Sequence, residues 1–245
     1  MDASVVKEKG ATGQQFRLHY ALNIFNMCCA WQKITTQKIG ESLCNFEFTK
    51  NQLVLADRAY SSIKGIEHIE NAGSKYILRL KQNSFISRND AGEKIELLDY
   101  FNNLKNEEIA NIQTFITNKN GLQIPIRICA KKKDDASIEK QLKSKESKKQ
   151  SCKAKTFNEY IVVVTNLDPN IPASEILELY RFRWQVEIYF KRLKSILDIG
   201  DIPKKNQNST LSWLNGKIMI ALLIENIIAK ASFFPKEQTK QECMA

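Results

Sequence analysis

The sequence predicts an α/β fold, in which short apolar strands alternate with helices. Residues 52–57 form a continuous apolar run that ends in a carboxylate, a pattern typical of a buried central strand. Residues 61–71 then carry isoleucines at a spacing of three and are followed by Gly73, so we predict a helix that ends near this glycine. Residues 75–81 are the next predicted strand and complete a strand–helix–strand unit.

The other predicted elements lie on both sides of this unit. Aromatic and branched residues predict strands in the amino-terminal part, and the carboxyl-terminal part returns to strand followed by helix. A proline at position 172 suits the first turn of the long helix there. The predicted strands are 2–6, 16–25, 27–36 and 160–165, and the predicted helices run from 172 to about 198 and from about 213 to 230.

The middle of the chain does not follow this alternation. The pattern of residues 111–116 and 122–130 predicts strands bounded by polar turns. We therefore interpret 82–159 as a mostly β insertion. Within it, residues 134–155 are rich in lysine and serine, which predicts a solvated loop, with DNA contact as the alternative. The predicted division is therefore a core in two parts, 1–81 and 160–245, separated by this insertion.

Composition limits the possible functions. The formal net charge of +10 favours an anionic partner, nucleic acid first, and a merely basic soluble surface is the alternative. The six cysteines form no CxxC pair and there are only two histidines, so we expect reduced thiols and no zinc site. No apolar run reaches the roughly 18 residues of a membrane span.

The segment 177–194 predicts a helix with two polar faces, where a surface helix needs only one. At about 100° per residue, one of these faces spans only about 60° of the helix circumference. Its members are Tyr180, Arg183, Glu187 and Lys194. A carboxylate flanked by cations on such a face suggests a metal ion and phosphate groups as ligands.

Three carboxylates are candidates for this chemistry. Asp57 stands at the carboxyl end of a predicted strand, where open α/β sheets bind their ligands, although aspartate is also common as a turn cap. For Glu187 the alternative is a helical ion pair with Arg183, four residues earlier, but that pair does not account for Tyr180 on the same face. Asp2 lies on the first strand fragment and is a candidate only because of the segments around it.

The helical segment resembles a signature of one large group of bacterial insertion-sequence transposases. That signature is a tyrosine, an arginine, a glutamate and a lysine separated by two, three and six residues. The matching residues here are Tyr180, Arg183, Glu187 and Lys194.

The resemblance extends over nearly the whole chain. Residues 55–60 resemble the segment that carries the second catalytic aspartate of the group, with Ala59 where the group often has glycine. Residues 2–4, followed by Gly10 and residues 16–20, resemble the segment after the first catalytic aspartate. The three segments stand in the order that the group has.

The resemblance implies a DDE transposase catalytic domain with a ribonuclease-H-like fold. This fold is a mixed sheet flanked by helices, with the mostly β insertion between the second aspartate and the helix of the catalytic glutamate. Asp2, Asp57 and Glu187 would be the catalytic residues. They would hold two Mg²⁺ ions, for which Mn²⁺ can substitute, because hard cations prefer carboxylate oxygens.

The implied reaction is metal-dependent DNA cleavage and strand transfer during DNA transposition. The implied partner is double-stranded DNA, both transposon ends and target, bound by a homodimer in a synaptic complex. The implied location is the bacterial cytoplasm, in association with the nucleoid and without a membrane. The residues that would contact DNA phosphates are Tyr180, Arg183 and Lys194.

Only Met1 precedes Asp2, so we expect that the chain lacks the amino-terminal part of the family, including a separate DNA-binding region. The activity of this chain alone is therefore open. One alternative is an inactive DNA-binding remnant of a transposase, and the environment of Asp2 would discriminate it. The other is a different ribonuclease-H-like nuclease, such as a resolvase, which the helical signature argues against.

Overall fold

The computed structural model of the chain describes residues 1–8, 15–104, 108–143, 151–199, 201–202 and 206–230. Contacts divide the chain into two compact units. The first unit comprises Met1–Asp2 and Gly40–Trp184, and the second comprises Ala3–Ile39 and Gln185–Ala245. These units follow contacts in space, so the predicted division of the sequence at residues 81 and 159 stays a prediction.

The described residues form strands and helices in a mixed order. The strands are β1 (Asp2–Glu8), β2 (Gln15–Asn23), β3 (Cys28–Thr36), β4 (Leu53–Ala56), β5 (Lys75–Arg79), β6 (Ser87–Arg88), β7 (Ile109–Thr117), β8 (Gln123–Lys132), β9 (Tyr160–Thr165) and β10 (Asp201–Ile202). The helices are α1 (Ile63–Asn71), α2 (Leu97–Asn102), α3 (Asp135–Leu142), α4 (Cys152–Asn158), α5 (Ala173–Arg181), α6 (Trp184–Leu197) and α7 (Gln207–Lys230). The α/β prediction is therefore confirmed.

The first unit is built on a six-stranded mixed sheet with the strand order β4-β5-β9-β8-β7-β6. Strands β4 and β5 are parallel, and the other neighbouring pairs are antiparallel. Helix α5 packs on β5, β7 and β8, while α1 packs on β5 and α4 on β9. The sheet thus joins strands from the predicted core to strands from the predicted insertion.

Helix α1 shows how the sequence sets its own boundaries. The Ser62 side chain accepts a hydrogen bond from the Gly65 amide and caps the first turn. Ile66 and Ile69 are buried on one face. Gly73, just after the helix, has φ of +69°, a conformation that costs glycine little. The predicted helix at 61–71 and the strands on both sides of it are confirmed.

The predicted single helix from 172 to about 198 is wrong. Helix α5 ends at Arg181 and α6 begins at Trp184. At the break the amide of Phe182 donates to the Leu179 carbonyl and the amide of Arg183 to the Tyr180 carbonyl, three residues back, which tightens the turn. The shared face derived from 100° steps therefore does not extend across the break.

The predicted loop at 134–155 is also wrong where the structure describes it, because α3 and α4 lie there. Both helices are capped by polar side chains: Asp134 accepts from the Ser137 amide and Ser151 from the Ala154 amide. Residues 144–150 lie outside the described residues. The described part of the insertion segment therefore contains the helices α2, α3 and α4 beside its strands.

The second unit has a four-stranded sheet in the order β10-β1-β2-β3. Strands β2 and β3 are antiparallel, with Phe16 opposite Thr36, as the predicted strands 16–25 and 27–36 require. The apolar core of the unit combines β1 and β2 with α6 and α7. The buried core side chains are Val6, Phe16, Leu18, Tyr20, Val186, Tyr189, Phe190, Leu193, Ile199, Leu214, Ile218 and Ala221.

Helix α7 is longer than predicted, because it begins at Gln207 rather than near residue 213. Its segment Gln207–Ile228 is, among the described helices, the one long and apolar enough to cross a membrane by length and composition. A mostly buried core helix of a soluble protein meets the same criterion, but only 17% of this apolar window is buried, with Leu214, Ile218 and Ala221 in the core. The expectation of a protein without a membrane span stays a prediction.

Candidate functional site

The candidate site of the first unit lies at one edge of its six-stranded sheet. Parallel pairing aligns Ala56 of β4 with Leu78 of β5. Asp57 and Arg79 are the next residues, so both reach the same edge. Antiparallel pairing brings the start of β9, at Tyr160, to this edge as well. The edge therefore combines one carboxylate with a cation at neighbouring strand ends.

The Asp57 side chain is directed toward a tyrosine and not toward its own turn. A short 3₁₀ helix, Arg58–Tyr60, follows Asp57, but the Asp57 carboxylate does not cap it. Instead the Tyr180 hydroxyl donates to Asp57 Oδ1 over 3.4 Å. The turn-cap alternative therefore does not describe this aspartate.

Tyr180 and Arg183 remain together despite the helix break. Tyr180 is buried, and burial, followed by the nearby Asp57 charge, raises the pKa of its phenol above the usual value. The guanidinium carbon of Arg183 lies 5.8 Å from the centre of the Tyr180 ring, a cation–π contact. These two residues and Asp57 form one contiguous group in the first unit.

Asp2 belongs to the same neighbourhood. The Met1 ammonium donates to the Leu55 carbonyl over 2.5 Å, two residues before Asp57. Burial lowers the pKa of this ammonium to about 5; the Asp2 charge opposes that shift, Arg183 adds to it and Asp57 opposes it. Asp2, Asp57 and Arg183 therefore all act on one amino group at the edge of the sheet.

The other two predicted site residues belong to the second unit. Glu187 is half-buried and Lys194 is exposed, and both lie on α6 beyond Trp184. The structure thus groups Asp2, Asp57, Tyr180 and Arg183 within the first unit. The convergence of Glu187 with the two aspartates stays a prediction.

The donor set for a metal ion is incomplete within the first unit. Asp2 and Asp57 provide two carboxylates, the hard oxygen donors that Mg²⁺ prefers. Across the described part of the chain, no three carboxylate, imidazole or thiolate groups lie close enough together to hold a metal ion. A third donor is needed to complete the predicted site.

Arg79 also lies at this edge, although it was not among the predicted site residues. Arg79 is 8% exposed, and burial, followed by the charge of Arg58, lowers the pKa of its guanidinium to about 10, while Tyr180 and Asp57 oppose this shift. A sequence signal existed, since Arg79 directly follows the apolar residues 76–78 at the end of a strand, but its strand partners were unknown. Arg58 and Lys133 are two further cations of this edge that were not among the predicted site residues.

Comparison with known proteins gives a consistent result. The sequence profile described as "Transposase DDE domain" matches residues 29–223. The matched range contains Asp57, Tyr180, Arg183, Glu187 and Lys194, and it begins after Asp2.

Individual relatives match most of the chain. The chain is 23% identical to the transposase for insertion sequence element IS421 of Escherichia coli over 254 residues, 99% of this chain and 68% of the relative. It is 26% identical to the transposase for IS231F of Bacillus thuringiensis subsp. israelensis over 257 residues, 94% of this chain and 53% of the relative. It is 26% identical to the transposase for IS1151 of Clostridium perfringens over 197 residues, 72% of this chain and 42% of the relative.

Proposed function

Because the chain belongs to the transposase DDE domain family, we propose that it carries out metal-dependent DNA cleavage and strand transfer. Its relatives are transposases of insertion sequence elements, which supports a role in DNA transposition. We also assign its mixed sheet to a ribonuclease-H-like core with residues 82–159 as the insertion.

The observation that carries the proposal is the group around Asp57. Asp57 accepts a hydrogen bond from the Tyr180 hydroxyl, and the guanidinium of Arg183 lies over the Tyr180 ring. The charges of Asp2, Asp57 and Arg183 all act on the Met1 ammonium. Carboxylates next to a cation and a phenol suit a metal ion and a phosphodiester.

We assign the metal-binding role to Asp2, Asp57 and Glu187, which would hold two Mg²⁺ or Mn²⁺ ions. When bound, the ions supply a nucleophile at neutral pH and stabilise the leaving oxygen. Tyr180, Arg183 and Lys194 would position DNA phosphates beside the carboxylates without reading sequence, because phosphate contacts carry no sequence information.

The proposed partner is double-stranded DNA, both transposon ends and target. A homodimer in a synaptic complex in the bacterial cytoplasm, at the nucleoid, is part of the same proposal. The net charge of +10 supports the nucleic-acid partner.

The experiment uses a supercoiled plasmid that carries the DNA encoding this chain together with its flanking sequence. We expect Mg²⁺ or Mn²⁺ to produce nicked circles, chelation to stop the reaction and Asp57→Asn to abolish it. Glu178→Gln is the matched control, since Glu178 is an exposed carboxylate paired with Arg181 over 2.9 Å. Equal nicking by the Asp57→Asn protein would contradict the assignment.

A second candidate function is a DNA-binding protein without catalytic activity. It is favoured by the absence, among the described residues, of three metal-binding groups close together. Salt-dependent DNA binding with no nicking in either metal ion would support this candidate.

A further inference from the structure

Three cations of the first unit meet at the junction between α4 and β9. The Arg58 Nη1 donates to Asn158 Oδ1 over 2.8 Å, and the Lys133 Nζ donates to the Asn158 carbonyl over 2.6 Å. The Arg79 Nη2 donates to the Tyr160 carbonyl over 3.0 Å. We call Arg58, Arg79 and Lys133 the edge cation cluster, because they lie at the sheet edge that ends β4, β5 and β8.

The cluster is hydrogen-bonded but not neutralised. Within the described residues, none of its three members has a carboxylate within ion-pairing distance. Their acceptors are an amide oxygen and backbone carbonyls, together with the side chain of Gln141, which accepts from Lys133. The carbonyls at the end of α4 offer only partial negative charge.

Burial makes this arrangement costly. Burial, followed by the charges of Arg79 and Arg58, lowers the pKa of Lys133 to about 8, while Asp134 and Glu159 oppose the shift. The cations therefore repel one another in a partly desolvated place. Like charges brought together in this way are stabilised by an anion that binds them.

The position of the cluster indicates which anion. Arg58 follows Asp57 directly, and Lys133 follows the end of β8 and donates its amide to the Glu159 carbonyl at the start of β9. Strands lie about 4.8 Å apart, so the cluster extends over about 14 Å of sheet edge, from β4 to β8, starting at Asp57. A linear polyanion that reaches Asp57 would pass along these cations.

We propose that Arg58 and Lys133 bind backbone phosphates of the DNA strand that reaches Asp57, in addition to the phosphate contacts proposed for Tyr180, Arg183 and Lys194. Arg79 is buried and positions the junction through the Tyr160 carbonyl. The inference rests on the proposed function, because it names a further contact of the same DNA. The site reads charge and spacing, not base sequence.

The test is the salt dependence of binding to a random-sequence duplex. Each phosphate contact contributes about 0.9 to the slope of log affinity against log salt concentration. We expect Lys133→Gln and Arg58→Gln each to reduce that slope by about 0.9, and Lys133→Arg to keep it. The matched control is Lys119→Gln, because Lys119 is exposed in the turn between β7 and β8, at the far end of the hairpin from Lys133.

The outcomes separate this inference from the proposed function. Equal slopes for Lys133→Gln and Lys119→Gln, with wild-type DNA binding intact, would overturn the cluster as a phosphate site and leave the plasmid assay untouched. Circular dichroism checks that the Gln variants fold. If Arg58→Gln does not fold, the Lys133→Gln and Lys133→Arg pair decides alone.

Discussion

Two polar clusters, one in each unit, differ in how completely their charges are satisfied. In the second unit, Glu225 accepts hydrogen bonds from the Tyr20 hydroxyl over 3.0 Å and from the Cys29 amide over 2.7 Å, and also from the Tyr189 hydroxyl. In the first unit, the edge cation cluster has neutral acceptors only and lies beside Asp57.

The difference separates a structural role from a binding role. Three donors from β2, β3 and α6 surround Glu225, so its carboxylate holds α7 to these elements. Little of its hydrogen-bonding capacity remains for a ligand. The neutral acceptors of the edge cation cluster do not neutralise its positive charge. These cations are therefore available to an anion. We infer that unsatisfied charge marks the functional edge of this protein.

The largest expected effect concerns the third proposed metal ligand. Glu187→Gln should abolish metal-dependent nicking and leave DNA binding near normal or slightly tighter, because one negative charge beside the phosphates is removed. The same plasmid assay with Glu178→Gln as control measures it. Normal nicking by Glu187→Gln would contradict the metal-binding role and leave an ion pair with Arg183 as the role of Glu187.

A second prediction tests the structural side of the comparison. Glu225→Gln keeps one acceptor oxygen but turns an amide donor toward one of the donating groups, so the free energy of unfolding should fall by about 1–3 kcal/mol. Glu178→Gln, which removes only an exposed ion pair, should cost about 0.2–1 kcal/mol. Urea denaturation of both variants measures the difference. Equal losses would mean that the Glu225 network contributes no more than a surface pair.

A third prediction concerns pH. The Lys133 pKa of about 8 means that the amine is charged below pH 8 and loses its proton as the pH rises further, so DNA binding must then take up a proton. Affinity should fall by up to tenfold per pH unit above pH 8. Lys133→Arg should remove the fall, because a guanidinium stays charged. The groups facing Lys133 are Arg58, Arg79, Asp134 and Glu159.

Binding titrations of the wild type and Lys133→Arg between about pH 7 and pH 9.5 measure this difference. The variant is its own control for general effects of pH on the protein and the DNA. A parallel decline in both proteins would contradict a phosphate contact at Lys133.

The smallest expected effect distinguishes the role of Arg183 from that of Tyr180 in DNA binding. Arg183→Gln should lower the salt slope by about 0.9, while Tyr180→Phe should leave the slope unchanged, because a neutral phenol releases no counterion. Tyr180→Phe should weaken binding by about 0.5–1.5 kcal/mol if the hydroxyl turns from Asp57 to donate to a phosphate when DNA binds. A changed slope for Tyr180→Phe would contradict this division of roles.

Local patterns predicted much of the fold. The apolar run before Asp57 became β4, and the isoleucine spacing with Ser62 and Gly73 set the bounds of α1. Such signals depend on neighbouring residues alone. The break after Arg181 has no proline or glycine to mark it, and the lysine-rich composition near residue 134 concealed the caps of α3 and α4.

The candidate site was predictable only where a motif carried it. Asp57, Tyr180 and Arg183 were proposed from the sequence and lie together in the first unit. Arg79 and Lys133 were not, because their proximity depends on the pairing of β5 with β9, across 84 to 88 residues, and of β8 with β9, across 28 to 38 residues, which no local pattern encodes.

The most direct test of the central claim is to measure Mn²⁺ binding to the protein with duplex DNA present. The electron paramagnetic resonance signal of free Mn²⁺ reports how much of the ion is unbound. If Asp2, Asp57 and Glu187 hold the metal ions, Asp57→Asn and Glu187→Gln should each weaken Mn²⁺ binding at least about tenfold, as the loss of a charged ligand predicts. Glu178→Gln should bind Mn²⁺ as the wild type does. Unchanged Mn²⁺ affinity in both Asp57→Asn and Glu187→Gln would contradict the account.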